Sequence, residues 1–198
     1  MCGVEHIGWL YDAGCWVMER LGLRRWRAWL AGGARGRVLE VGAGTGRNLS
    51  LYADPRRVVA MEPDPALLGA ARARAPAVRL VAARVEALPF RDGAFDTVVS
   101  SLVFCSVTNS QAGLVEIRRV LRERGELRML EHVRARSPTL ARLQDGIQPL
   151  WTRIMGGCHP NRDTERTVLD SGFDIVPGSR AARGALMRFV AVARAPGD

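Results

Sequence analysis

Residues 38 to 46 read Val38-Leu39-Glu40-Val41-Gly42-Ala43-Gly44-Thr45-Gly46, a hydrophobic strand that runs straight into three glycines spaced two apart. Glycines there let the chain turn sharply at a strand end and bring its backbone against a bulky ligand, where a Cβ would collide or force a left-handed φ. Residues 45–52 are expected to start a helix whose free N–H groups and positive dipole end face the same spot. The occupant such a loop suits is a charged small molecule containing a nucleoside. A turn that only packs strand against helix has the same signature, so the rest of the chain must decide.

Outward from this stretch, strand-like and helix-like runs alternate. Strands are expected at 37–41, 58–62, 78–82, 95–103, 126–133, 173–176 and 187–193, and helices at 65–75, 111–121, 140–154 and 163–171. Asp64 followed by Pro65 is a good N-cap with proline at the first helical position. The alternation implies an α/β fold: one doubly wound, mainly parallel sheet with helices on both faces. Ligands of such sheets bind beyond the carboxyl ends of the strands. The functional candidates are therefore the loop 42–46, Glu62, residues 83–86, residues 100–105, and Glu131 with His132. Before the sheet, residues 1–34 read as a helical cap with an apolar stripe that includes Trp9, Trp16, Trp26 and Trp29. At helical spacing such a stripe is usually core; a cover over a substrate pocket and a surface that leans on lipid are the other readings.

Gross composition narrows the class. In 198 residues, 47% are hydrophobic and 25% charged, ordinary values for one globular domain. No run reaches the roughly 18 apolar residues of a membrane span; the nearest, residues 7–18, is broken by Asp12. Glu5 stands where a secretory signal would be basic, and the expected location is the cytoplasm. The net charge of +9 comes wholly from arginine, there being no lysine. The arginines are scattered, with no aromatic–basic interleaving, so no specific nucleic-acid partner is expected; an RNA-methylation reading rests on the charge alone. Cysteines at 2, 15, 105 and 158 have no paired spacing, which argues against a disulfide framework or a zinc site, and no metal is expected.

Glu62 ends the second strand, where a carboxylate can accept hydrogen bonds from both ribose hydroxyls of a nucleoside. Dinucleotides and S-adenosylmethionine both remain possible at this point. The dinucleotide fingerprint, however, places its third glycine one residue later than Gly46. Glu40 beside the loop also suits the amino-acid end of S-adenosylmethionine and would oppose a pyrophosphate.

The order of four stretches resembles the class I S-adenosylmethionine-dependent methyltransferases: residues 38–46; Met61-Glu62-Pro63-Asp64; residues 85–90 followed by Phe95-Asp96-Thr97-Val98-Val99; and residues 116–121 leading to Gly125. The resemblance implies a Rossmann-like domain over 35–198, with a seven-stranded sheet closed by an antiparallel C-terminal strand and a lid insertion at about 134–163. It also implies S-adenosyl-L-methionine as cofactor. Glu40, Gly42, Ala43, Gly44, Gly46 and Asn48 would hold its methionine end, Glu62 and Pro63 its ribose, Val85 and Glu86 its adenine edge, with Ser101 alongside. The chain departs from the family at Arg84, where many relatives carry an acid for the adenine amino group. It departs again at Arg122-Glu123-Arg124-Gly125, which replaces the usual Arg-Pro-Gly-Gly turn.

Residues 101–107, Glu131-His132-Val133, and residues 156–159 with Arg162-Asp163-Thr164 are similar to a narrower branch that includes membrane-associated alkyl thiol methyltransferases. Bacterial relatives methylate lipid head groups or other small molecules. The branch implies a small hydrophobic acceptor such as a thiol. The alternatives are O-, N- or C-methylation of a lipid head group, quinone or secondary metabolite, and a non-catalytic cofactor-binding protein. Residues 100–104 lack the Asn/Asp-Pro-Pro-aromatic motif that bonds a target nitrogen in nucleic-acid enzymes.

Methyl transfer is an in-line displacement in which alignment supplies much of the rate, and a free thiol of pKa ~8.5 needs only modest help to ionise. His132 is the candidate base or orienter; a structural hydrogen bond to a carbonyl explains it equally well. Tyr11, Cys105 and His159 are expected to line the acceptor pocket. Peripheral membrane contact through the N-terminal segment and a monomer or homodimer complete the expectations.

Overall fold

The structure, a computed structural model, describes residues 22–135, 137–154 and 157–194. Its strands are β1 (Val38–Val41), β2 (Val58–Met61), β3 (Arg79–Val81), β4 (Phe95–Ser101), β5 (Leu121–His132), β6 (Phe173–Ile175), β7 (Ala181–Arg183) and β8 (Leu186–Ala193). Their order is β3-β2-β1-β4-β5-β8-β6. Pairing is parallel from β3 to β5, and β8 runs against both β5 and β6. The seven expected strands form this path. β7 is an eighth that the sequence did not announce, a short partner of β8 turned back through Gly184 and Ala185. Gly184, at φ 59°, supplies the backbone such a two-residue hairpin demands.

The strand pleat sorts the core into two layers. Leu39, Val41, Val98, Leu127 and Met129 face one side, where Leu114, Ile117 and Val168 from the helices pack. Val38, Val58, Ala60, Val99 and Leu130 face the other, under Leu30, Ala31 and Ala71. Every residue of β1 and β2 is buried, as expected for central parallel strands covered on both faces. Glu40 shares the face of Val38, which carries its carboxylate toward the second layer.

The helices are α1 (Arg24–Gly32), α2 (Pro65–Arg74), α3 (Ser110–Val120), α4 (Pro138–Ile154) and α5 (Thr164–Asp170). Asp64 caps α2 by accepting from Ala66 N and Leu67 N, with Pro65 at the first turn, as its sequence predicts. Asn109 and Asp163 cap α3 and α5 in the same way. Arg128 of β5 closes the C-terminal end of α1: its guanidinium donates to Leu30 O and Trp29 O and lies 4.6 Å over the Trp29 ring. A cation is favourable at a helix C-terminus, where the carbonyls lack helical partners.

Two expectations are corrected. Residues 45–52 do not form an α-helix; they wind as successive tight turns ending in a single 3-10 turn, Leu49–Leu51. Positive φ at Gly44 and Gly46 and the extended Tyr52 leave too short a run to nucleate a helix. The turn expected at 122–125 instead lies within β5, which starts at Leu121 opposite Phe95 and shifts register before Thr97 meets Glu126. Arg124, at φ 60°, marks that outward excursion. Of the expected N-terminal cap only residues 22–34 are described. Tyr11, Trp9, Trp16 and the 7–18 run lie outside the described residues. Among the described residues no helix is long and apolar enough to cross a membrane.

Candidate functional site

A cavity of about 500 Å³ opens at the carboxyl ends of β1, β2 and β4. Its walls include Glu40, Gly42, Ala43, Gly44, Asn48, Glu62, Pro63, Val85, Glu86 and Ser101, ten of the eleven positions expected to contact a cofactor. The exception is Gly46, which serves packing: a Cβ there would stand 3.0 Å from the Ala71 Cα of α2. At Gly42 an added Cβ would meet Val103 Cγ2 at 2.6 Å, so this glycine lets the loop pass under β4. At Gly44 nothing lies within 4 Å, so a side chain would project into open space.

Glu62 is nearly buried and is held through both oxygens. Gly44 N donates to Oε2 at 2.9 Å and Asp64 N to Oε1 at 3.1 Å. Burial pushes its carboxyl up despite those bonds. Glu40 lies deeper. Its oxygens accept from Asn48 Nδ2 at 3.1 Å and from the Tyr52 hydroxyl at 2.5 Å. Burial raises its pKa to about 7, with Tyr52, Arg27 and Asn48 pulling the other way.

Arg27 is a site residue that the sequence reading missed. Although buried among tryptophans on α1, its Nη1 donates to Asn48 Oδ1 at 2.8 Å and to Ser101 Oγ at 3.2 Å, and it lines the cavity. The only sequence signal was an arginine inside an apolar helical stripe. Arg84, at the family departure, also lines the cavity and lies 3.4 Å from Glu86 Oε1. Leu102 at the rim takes φ 60°, and its N–H donates to Leu130 O at 2.7 Å. A left-handed non-glycine costs about 1–3 kcal/mol and persists only where its surroundings over-determine it.

The expected acceptor residues are placed differently. His132, Cys105 and His159 do not line the cavity. His132 stacks edge-on against Trp151, and its Nδ1 is 3.8 Å from Cys158 Sγ. Cys105 and Cys158 are buried and free of disulfides. A hydrogen bond between them, with burial, holds the Cys105 thiol up, while the same bond and His132 hold Cys158 down. His159 bonds Gln148 Nε2 through Nδ1 at 2.9 Å and donates its backbone N–H to Cys105 O.

Residues 134–163 are fastened at both ends. Arg134 and Asp145 form a two-pronged ion pair at 2.6 and 2.8 Å, and Gln144 bonds Ala135 N, Val133 O and Pro160 O. Arg162 Nη1 donates to Phe104 O and Val107 O, which fixes the loop that forms the far wall.

A glycine cradle at the end of β1, answered by a carboxylate at the end of β2 in a sheet closed by one reversed strand, is the arrangement of the class I S-adenosylmethionine-dependent methyltransferases, and the chain matches that class in pattern. Its cofactor is S-adenosylmethionine. A family described as a methyltransferase domain matches residues 39–129. Within the class, the chain is similar to the thiol methyltransferase branch: it is 34% identical over 158 residues to the thiol S-methyltransferase TMT1B of Homo sapiens, covering 75% of this chain and 65% of that protein. The chain thus spans just under two thirds of that relative's length. It is 29% identical over 161 residues to phosphatidylethanolamine N-methyltransferase of Cereibacter sphaeroides, covering 78% of each. In fold it resembles a solved structure from Thermotoga maritima, an S-adenosylmethionine-dependent methyltransferase described as a possible histamine N-methyltransferase. That likeness has a TM-score of 0.67 at 19% identity and covers 85% of this chain and 88% of the other.

Proposed function

We propose that the protein moves a methyl group from S-adenosylmethionine to the sulfur of a small apolar thiol. The observation that carries this reading is the distribution of charge around the cavity. The carboxylates Glu40, Glu62, Asp64 and Glu86 all belong to the first three strand ends. Among the described residues, the wall formed by Ser101, Leu102, Val103, Ser106, Val107 and Thr108 carries no group that ionises near neutral pH. An acceptor held there receives no base from the wall. A thiol, with a pKa of ~8.5, is the nucleophile that needs least help. The Arg27 guanidinium beside Ser101 favours its thiolate.

The residues present fit the cofactor. Glu62 has two of its four lone-pair positions taken by N–H groups, leaving two for ribose hydroxyls. Glu40 and Asn48 stand at the methionine end beside Gly42, Ala43 and Gly44, and Pro63, Val85 and Glu86 border the base. Bound there, the cofactor supplies a methyl group already activated on a sulfonium, so the chain's own task is to align the acceptor and keep water out. Residues 134–163 act as the cover on the acceptor side and residues 1–34 as the cap. His132, set behind the wall, orients this cover and does not take a proton from the cavity. We read the protein as cytoplasmic, a monomer or homodimer, with the N-terminal segment as its point of contact with any membrane surface.

A second reading is methylation of a lipid head group. It is favoured by the match with phosphatidylethanolamine N-methyltransferase over most of both chains. It is also favoured by Leu140, Leu143, Ile147 and Leu150, exposed in a row on α4. Calorimetric titration with S-adenosylmethionine, followed by methyl transfer to alkanethiols, phenols and phosphatidylethanolamine vesicles, separates the readings. Transfer to thiols is expected. Transfer to vesicles alone sinks the thiol reading, and binding without any transfer favours a non-catalytic cofactor-binding protein.

A further inference from the structure

Three side chains from distant parts of the sequence meet behind the acceptor wall. Cys105 follows β4, His132 ends β5 and Cys158 follows α4, and their ligating atoms all lie within 4.8 Å of one another. Tetrahedral zinc, with Zn–S of about 2.3 Å and Zn–N of about 2.0–2.1 Å, sets its ligands roughly 3.5–3.8 Å apart. Cys158 Sγ and His132 Nδ1, at 3.8 Å, already stand at that spacing. No pair in the trio needs to close by more than about 1.3 Å to reach it.

Beside the trio, the buried Glu131 Oε2 has no hydrogen-bond partner among the described residues, and the Trp151 indole N–H is directed at Cys158. Glu131 is fully buried, and its other oxygen accepts from Ser100 Oγ at 2.8 Å and Val103 N at 3.1 Å, two residues from Cys105. Trp151 packs edge-on to His132 with ring centroids 6.3 Å apart. An orphaned buried carboxylate oxygen is costly in a wholly protein environment. A cation held by the trio lowers that cost through its field, and an indole N–H directed at a metal-bound thiolate supports the ligand from outside the coordination shell.

We propose that Cys105, His132 and Cys158 form a zinc site, with two thiolates and one imidazole from the chain and the fourth tetrahedral position left to water. Two thiolates with an imidazole select zinc over the oxygen-seeking magnesium and calcium. Binding takes up Zn²⁺ and releases to the buffer whatever protons the two thiols still carry, so charge and atoms balance. The ion ties the segment after α4 to the ends of β4 and β5, in line with the backbone bond from His159 N to Cys105 O at 2.8 Å. It is a fastening for the cover of the cavity, and it does not depend on which acceptor is methylated.

The test uses the whole chain, reduced, stripped with EDTA and titrated with Zn²⁺, then with Co²⁺ as a spectroscopic probe. Expected are one tight equivalent, proton release, a thiolate-to-cobalt charge-transfer band with tetrahedral visible bands, and a zinc-dependent rise in Tm. Cys105→Ser, Cys158→Ser and His132→Gln should each weaken binding by more than about 100-fold, beyond the usual effect of an outer-shell change, whereas Cys15→Ser should bind as the parent does. Circular dichroism identifies any variant that has not folded, and the parent titration stands without the variants. Absence of zinc uptake by the reduced parent overturns the proposal. So does uptake abolished by Cys15→Ser, or thiol counting that finds Cys105 and Cys158 joined as a disulfide in the protein as isolated.

Discussion

The backbone N–H of Gly44 donates to Glu62 Oε2 at 2.9 Å, so the carboxylate that ends β2 holds the middle of the glycine loop that ends β1. One side chain therefore shapes the cradle as well as offering lone pairs to a sugar. Glu62→Ala removes the loop tether together with the ribose acceptors. Hydrogen bonds to a charged group are worth about 1.5–3 kcal/mol each, so affinity for S-adenosylmethionine should fall by ~100-fold or more on the scale of 1.4 kcal/mol per factor of ten. Gly44→Val, which projects a branched side chain into open cavity space, should do the same. Calorimetric titrations that match the parent for both variants would remove this site assignment.

Glu40 makes the protein's stability and its cofactor affinity depend on pH in opposite senses. Its folded-state pKa is raised from 4.5 to about 7 by burial. The folded state therefore holds the proton more tightly than the unfolded chain. The associated stability is fully present below pH 4.5 and is lost as pH rises through about 7, a total of about 3 kcal/mol. Urea unfolding of the parent, compared with Glu40→Gln between pH 5 and 8, should show the parent losing ground to the variant. The cationic methionine end of the cofactor prefers the ionised carboxylate, so affinity for S-adenosylmethionine should rise across the same interval. A flat binding profile would detach Glu40 from the cofactor.

His132→Ala should leave affinity for S-adenosylmethionine unchanged, since the residue does not line the cavity, while slowing turnover because the cover behind the wall loses its anchor. Full retained activity would exclude any part for His132 in the reaction.

Arg162→Ala should raise the acceptor KM several-fold more than it raises the cofactor Kd. Its guanidinium fixes Phe104 O and Val107 O, and Val107 is part of the far wall. Equal changes in both constants would place the arginine in general stability instead.

Phe95→Ala should cost about 3–5 kcal/mol without altering the denaturant slope. Phe95 is fully buried, packs edge-on against Phe90 at 5.0 Å and sits under the Arg37 guanidinium. A loss below ~1 kcal/mol would mean that this corner repacks freely.

Legibility in the sequence followed the range of the interactions involved. The strand into the glycine loop, the Asp64–Pro65 helix start and Glu62 at the next strand end are local patterns, and each lies where its pattern placed it. The helix expected over 45–52 failed because the outcome depended on a distant partner: Asn48 and Tyr52 turn inward to Glu40, a relation that spacing alone does not contain. β7 is three residues, Ala181–Arg183, paired only because β8 offers an edge, too short for any alternation to register. Arg27 reads as an outlier in a stripe until Asn48 and Ser101 are seen beside it. The cysteines at 105 and 158 have no spacing that signals each other, since the fold brings them to His132 across two strand ends and the length of α4.

The position of β8 between β5 and β6 bears on how the chain comes into being. β6 is made before β8 and has no other neighbour in the sheet among the described residues, so it must wait, unpaired, while the later strand is laid along β5. The cradle built on β1, β2 and β4 needs no such wait and can gather as it is synthesised. Closing the far edge is a non-local step, slow by its topology, and until it finishes β5 presents an open, hydrophobic border to other chains. The nascent protein should therefore be able to hold its cofactor before it is safe from aggregation. Supplying the cofactor during refolding should then speed recovery more through the first half of the sheet than through the last.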